Sequence, residues 1–244
     1  MDEGVTVMKT RVAKRKASLI VAASAGALVA TGAPATAFAD VLTGTMTVDN
    51  GYFAYVSTSN NTLGTLIGSG TNWPTSTSVA SSNLGPGTYY LHIEAINQGL
   101  WGGVLGNFSV GSQSFSTSGT GWAAVFNNYN SSFTPQPWVA PDFSNPADAV
   151  TVYGPNNGTT SPWGPDQGGS PIAGISTSAD WIDGTGPNAL DEFQTGSVCT
   201  NGDCTVDFSY AFTVPSAPGP IPGAGFAGLA ALALAGLWAR TRHA

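Results

Sequence analysis

Three features of the middle of this chain predict an all-β fold, a β-sandwich or jelly roll. Short runs that alternate apolar and polar residues recur between Gly, Pro and Asn turns. No long amphipathic helical pattern interrupts them. Gly, Ser, Thr and Asn dominate, with 32 Gly and 16 Pro in the whole sequence, a composition of turns and edges rather than of helices. The region from Asp40 to Ala217, about 180 residues, has the length of one domain and can bury a real core.

The chain opens differently. Lys9, Arg11, Lys14, Arg15 and Lys16 precede a weakly apolar stretch, Leu19 to Ala30. Gly32 and Pro34 then break any helix before Ala37-Phe38-Ala39. A basic segment, an apolar segment and an A-x-A site make a secretory signal peptide, residues 1–39, which signal peptidase would remove after Ala39. Asp2 and Glu3 fit such a leader poorly, which points to Met8 as an alternative start. An uncleaved anchor helix is the plainer alternative.

The ectodomain, residues 40–214, is read strand by strand. Thr43 to Val48 alternates, with Met46 and Val48 on one face. Tyr52 to Val56 is aromatic and β-branched. Gly85-Pro86-Gly87 makes a tight turn before a strand that puts Tyr89, Leu91, Ile93 and Ala95 on one face and Tyr90, His92, Glu94 and Ile96 on the other. Trp122 to Phe126 and Ala149 to Tyr153 are shorter candidates. Asp142 to Asp191, rich in Pro and Gly, reads as a long loop excursion with a few short strands. Cys204 to Val214 is the clearest strand, with Val206, Phe208, Tyr210, Phe212 and Val214 sharing a face. Just before it, Cys199-Thr200-Asn201-Gly202-Asp203-Cys204 centres Asn-Gly in a two-residue hairpin turn. That predicts a cross-strand Cys199–Cys204 disulfide, as suits an exported chain with two cysteines.

Pro215 to Pro222, a Pro/Gly linker containing Pro218-Gly219-Pro220-Ile221-Pro222, cannot form a helix. Gly223 to Ala239 is an apolar run of 17 residues, short but sufficient for a transmembrane helix, with Trp238 at its interface. Arg240 and Arg242 mark residues 240–244 as a basic cytoplasmic tail.

This proline-rich motif, apolar helix and Arg-bearing end resemble the PEP-CTERM sorting signals of Gram-negative bacteria in a variant form, since the literal Pro-Glu-Pro is missing. The resemblance covers about the last 27 residues. It implies an exosortase-type transpeptidase as a partner and association with exopolysaccharide or biofilm matrix. The protein would be anchored in the inner membrane in transit and then reach the cell surface or extracellular matrix. A plain single-pass anchor is the alternative. A second resemblance rests on Val48-Asp49-Asn50-Gly51-Tyr52-Phe53-Ala54-Tyr55-Val56, on Asn72-Trp73, and on Leu84-Gly85-Pro86-Gly87 running into Tyr89–Asn97. This series is similar to the galactose-binding-like β-sandwich modules, which implies a jelly-roll topology and carbohydrate as ligand.

Charge narrows the partners. All seven Lys and Arg lie in the leader or after Ala239, while all but Asp2 and Glu3 of the fourteen acidic residues lie between. His92 alone could carry positive charge in the ectodomain. Nucleic acid and anionic lipid are therefore excluded as its partners, for want of any basic patch. Neutral sugars, cations and basic proteins remain.

Aromatic rings that stack on sugar C–H faces are the leading binding candidates. Trp73, Trp101 and Trp163 lie beside Gly, Pro or Asn in expected loops, with Trp101 the best placed to be exposed. Trp122 and Trp181 look strand-borne. For any single Trp, core packing is the commoner role. His92 and Glu94 share a strand face and could contact sugar or act as acid and base, although an ordinary solvent-facing pair is the plainer expectation. Asp142, Asp148, Asp180 and Asp183 are candidate calcium ligands; no other cofactor is expected. Asp183 and Asp191, with Asp180 and Glu192, could flank a sugar as glycosidase acids do, but nothing in their spacing brings them together. No nucleophile elbow, zinc-protease or phosphate-loop motif occurs. The sequence thus points to an exported, exosortase-sorted, non-enzymatic surface or matrix protein that binds carbohydrate. The alternatives are a secreted polysaccharide-acting hydrolase and a purely structural surface protein.

Overall fold

The computed structural model describes residues 40–118, 120–129, 133–199 and 203–216. The signal peptide, the Pro218–Pro222 sorting motif, the apolar run 223–239 and the basic tail lie outside the described residues. Among those described, no helix is long and apolar enough to cross a membrane.

The described residues form eleven strands: β1 (Leu42–Asp49), β2 (Gly51–Ser57), β3 (Thr65–Gly70), β4 (Thr77–Ala80), β5 (Gly87–Asn97), β6 (Gly103–Val110), β7 (Gln113–Ser116), β8 (Trp122–Asn128), β9 (Val150–Pro155), β10 (Asp180–Gly184) and β11 (Cys204–Val214). They make two antiparallel sheets. One has six strands in the order β4-β1-β6-β10-β9 with β7 added beside β6; the other has five in the order β3-β2-β5-β11-β8. The described residues therefore form an all-β sandwich with a single helical turn, α1 (Trp163–Asp166), and two short 3₁₀ turns.

The core lies between the sheets. Leu42, Met46 and Val48 of β1 and Val104, Phe108 and Val110 of β6 meet Leu91, Ile93 and Ala95 of β5 and Val206, Phe208 and Phe212 of β11. Each set has period two, so the alternation in sequence is the alternation in space. The expected faces of β1, β5 and β11 hold. Four strands have no clear sequence signal. β3, β4 and β7 are short and rich in Ser, Thr and Gly, and β6 has glycines at 103 and 106. Gly103 is required by packing: a Cβ there would lie 2.7 Å from Cζ2 of Trp163.

Both sheets are covered again on their outer faces. Leu105 and Trp181, whose chain neighbours Val104 and Ile182 face the core, point outward and join Trp163, Ile172, Ile175 and Ala179 in a second cluster. The 142–191 excursion thus contains β9, β10 and α1 and builds this second core. On the other side, the strap 133–143 lies across β5 and β11. It buries the face that the sequence suggested was open to solvent: His92 is 0% exposed and Glu94 1%.

The Cys199–Cys204 disulfide is present, with Cα atoms 5.7 Å apart. It departs from the expected hairpin. Cys204 opens β11, but Cys199 lies outside any strand, and β11 pairs with β5 and β8. The bridge fastens a loop to the strand instead of crossing two paired strands. The turn residues 200–202 lie outside the described residues.

Candidate functional site

The aromatic candidates divide sharply. Trp163 is buried in α1. It stacks on Trp181 at 4.2 Å with planes 8° apart and donates its indole N–H to Asp49 Oδ2 at 3.0 Å. Trp73 packs edge-on against Trp181 at 6.4 Å. Both serve the second core. Trp101 differs: it is half-buried on the β5–β6 loop and leans on Phe193 at 4.6 Å with planes 38° apart. Phe193 is 60% exposed and Leu100 beside it 62%. Leu100 also holds φ at 67°, a left-handed conformation that costs a non-glycine residue about 1–2 kcal/mol.

This ledge rests on a rigid support. Glu192 N–H donates to Leu100 carbonyl at 3.1 Å, and Asn97 Nδ2 donates to Leu190 carbonyl at 2.7 Å. These bonds join the β5–β6 loop to segment 189–194. That segment is held in turn by Asp183 of β10. Asp183 Oδ1 accepts the N–H groups of Gly184 (2.7 Å) and Leu190 (2.8 Å), and Oδ2 accepts Asp191 N–H (2.9 Å) and Gln194 Nε2 (3.2 Å). Asp191 Oδ1 accepts Phe193 N–H at 2.8 Å, while Oδ2 accepts the Tyr153 hydroxyl at 2.6 Å. Burial pushes the Asp183 carboxyl up to about 7, against the opposing pull of three backbone donors. Beneath the ledge, Glu192 Oε1 is buried without a hydrogen-bond partner. Phe193 and Glu192 were missed as ring and polar contact because only the fold brings them to Trp101.

The four candidate calcium ligands are dispersed. Asp142 Oδ1 caps its own loop through Ser144, and its N–H donates to Asp148 Oδ2 at 2.8 Å. Asp148 Oδ1 also accepts from Asn145 and Asn188. Asp180 opens β10, and Asp183 is occupied as described. Among the described residues, no group of three His, Cys, Asp or Glu gathers as a metal site.

His92 and Glu94 belong to a different assembly, on the outer face of the five-stranded sheet. Register sets Glu94 opposite Asp207 and His92 opposite Ser209. Burial drives the imidazole down to about 4 and pushes both carboxyls up, Asp207 well up, with Glu94 adding to it. Nothing here reaches solvent, so these groups offer no open sugar contact.

A neutral trough of about 800 Å³ opens on the outer face of the six-stranded sheet, where Thr43, Thr45, Ser78, Asn107, Ser109 and Ser116 present hydroxyls and an amide. It holds no charged side chain and no exposed aromatic ring.

Fold and disulfide together define an antiparallel β-sandwich with a Cys199–Cys204 bridge and an exposed aromatic edge at Trp101 and Phe193. No protein-family model, no curated protein and no solved structure matches the chain.

Proposed function

We propose that this chain is an exported, non-enzymatic surface or matrix protein whose jelly-roll-type sandwich, akin to the galactose-binding-like modules, binds neutral carbohydrate at the Trp101–Phe193 ledge. The observation that carries the binding is that ring pair. Of the three tryptophans placed in loops by the sequence, Trp101 is the one left out of the second core, beside a ring 60% exposed. A pyranose face laid on it buries C–H groups against the rings. The carrier is delivered by its signal peptide, and an exosortase-type transpeptidase acts on the Pro218–Pro222 motif and the segment that ends in Arg240 and Arg242. The support for this is the layout of seven cations, all terminal, around a body without Lys or Arg. Calcium at the dispersed aspartates remains a secondary proposal.

The non-enzymatic reading is supported by the state of the paired acids. Asp183 and Asp191 are buried, and their oxygens accept backbone and side-chain donors, which leaves neither free to meet a glycosidic oxygen. The test is a polysaccharide panel on the full-length protein in detergent. We expect saturable binding, weakened at least tenfold, about 1.4 kcal/mol, by Trp101→Ala with the melting temperature unchanged. Binding indifferent to that substitution, or release of sugar products, overturns the proposal.

A further inference from the structure

We propose that segment 133–143 is a proton-held latch over the five-stranded sheet: Glu94 and Asp207 keep it shut while they share one proton, and loss of that proton lifts it.

The strap is fastened to those two carboxyls. Gln136 N–H donates to Glu94 Oε1 at 2.7 Å, and Val139 N–H donates to Asp207 Oδ2 at 2.8 Å. Asn127 Nδ2 ties the same Oδ2 (2.7 Å) to the Pro137 carbonyl (3.0 Å). Trp138 stacks on His92 at 4.0 Å and donates its indole N–H to Asn60 carbonyl at 2.7 Å. Asn60 in turn donates to Pro141 carbonyl and accepts from Ser209. The strap is one residue thick, its positions alternating between half-buried and exposed from 136 to 140, so little apolar area holds it down.

The layer beneath is under-satisfied. Among the described residues four buried side-chain atoms have no hydrogen-bond partner. Three of them, His92 Nε2, Thr205 Oγ1 and Asp207 Oδ1, belong to this layer, each on a residue 0% exposed. A buried polar atom without a partner is costly, so this layer gains little from being shut. The groups that face it are Tyr55 from β2, Tyr90, His92 and Glu94 from β5, Asp207 from β11 and, on the strap, Asp142; no Lys or Arg is present between Ala17 and Ala239.

The position of the proton follows from the donors. Glu94 Oε1 faces the Gln136 N–H, Glu94 Oε2 the Tyr55 hydroxyl at 2.8 Å, and Asp207 Oδ2 two N–H groups. Asp207 Oδ1 faces none, so it carries the proton. When it ionises, two like charges stand opposite each other on paired strands in a buried layer with no counter-charge. Lifting the strap hydrates both. The shut form binds one more proton than the open form, so rising pH favours opening.

Hydrogen exchange of the full-length protein, followed by mass spectrometry between pH 5 and pH 8.5, tests this. After correction for the intrinsic rate, strap peptides should lose at least tenfold protection as pH rises while β5 and β11 keep theirs. Carbethoxylation of His92, referred to free N-acetylhistidine, should accelerate over the same range. Asp207→Asn places an amide where the protonated acid stands, keeps an acceptor for Val139, and should hold the strap shut throughout. Glu94→Gln serves if that variant does not fold. Strap protection independent of pH, a neutral variant that opens as the wild type does, or strap and strands lost together would each overturn the latch.

Discussion

Two buried carboxylate centres fasten loops to the outer faces of this sandwich, and they are built in opposite ways. Asp183, 0% exposed, receives four donors on its two oxygens and fixes segment 184–194. Asp207, equally buried, stands opposite a second acid and leaves one oxygen without a partner. The first arrangement satisfies both carboxyl oxygens, three of the four donors being backbone N–H groups, and becomes a rivet. The second places like charges together and holds its strap only while one is neutralised. The difference lies in the donors supplied, since the depth of burial is the same.

The sharpest way to break the comparison is Asp183→Ala. Three backbone N–H groups would lose their acceptor inside the protein, and we expect a loss of about 3–5 kcal/mol, measured by denaturant unfolding. Glycan affinity at the ledge should fall with it, because Leu190 and Asp191 position Phe193 and Glu192. A loss below about 1 kcal/mol would show that Asp183 is no rivet.

The next effect is the pH dependence of stability. Asp49 and Asp183 are pushed up to about 7 by burial, and Glu94 and Asp207 are also raised. The unfolded chain releases these protons near pH 4, whereas the folded chain keeps them, so this contribution to stability falls as pH rises from about 4 through about 7. His92 acts the other way. Its imidazole is held down to about 4, so the unfolded chain gains a proton below about 6.5 that the folded chain refuses, which lowers stability toward acid. The protons held by Asp49, by Asp183 and by the Glu94–Asp207 pair outweigh one imidazole. The melting temperature should be higher at pH 5 than at pH 8, and the reverse order by calorimetry would refute the assignment.

The sandwich was legible in the sequence wherever one face is apolar. β5 and β11 alternate cleanly because one side meets the core, and Cys204 and Val214 were placed at the ends of β11 by the same pattern. The strands that escaped notice, β3, β4, β6 and β7, are short or interrupted by Gly and rich in Ser, Thr and Gly, whose composition is that of a turn. Trp163 was misplaced for a similar reason: Pro162 and Gly164 advertise a loop, and only the fold shows Trp181 and Gly103 arriving to enclose the ring. The strap over His92 could not be read at all. A polar sheet face looks solvent-exposed until a segment some forty residues away covers it, as Trp138 does. Trp101, expected to be exposed, is half-buried, and its partner Phe193 comes from a segment placed by Asp183, nearly a hundred residues along the chain.

The smallest expected effect is also the most discriminating between the two centres. His92→Phe keeps a flat ring against Trp138, removes the unpartnered Nε2, and forfeits the 3.2 Å contact with Leu63 carbonyl. Deleting a buried polar atom that has no partner is favourable, while leaving the Leu63 carbonyl without its contact is not. The two are of similar size, so the net change should stay within about 1 kcal/mol of zero. Its pH dependence carries the information. The variant should lose the fall in stability toward acid that His92 imposes, so its advantage over the wild type should grow from pH 7 to pH 4, as read by calorimetry. The corresponding substitution at the rivet, where every oxygen has a donor, has no such benefit. A His92→Phe protein destabilised by several kcal/mol would mean that the imidazole is as fully satisfied as Asp183, and the contrast between rivet and latch would then collapse.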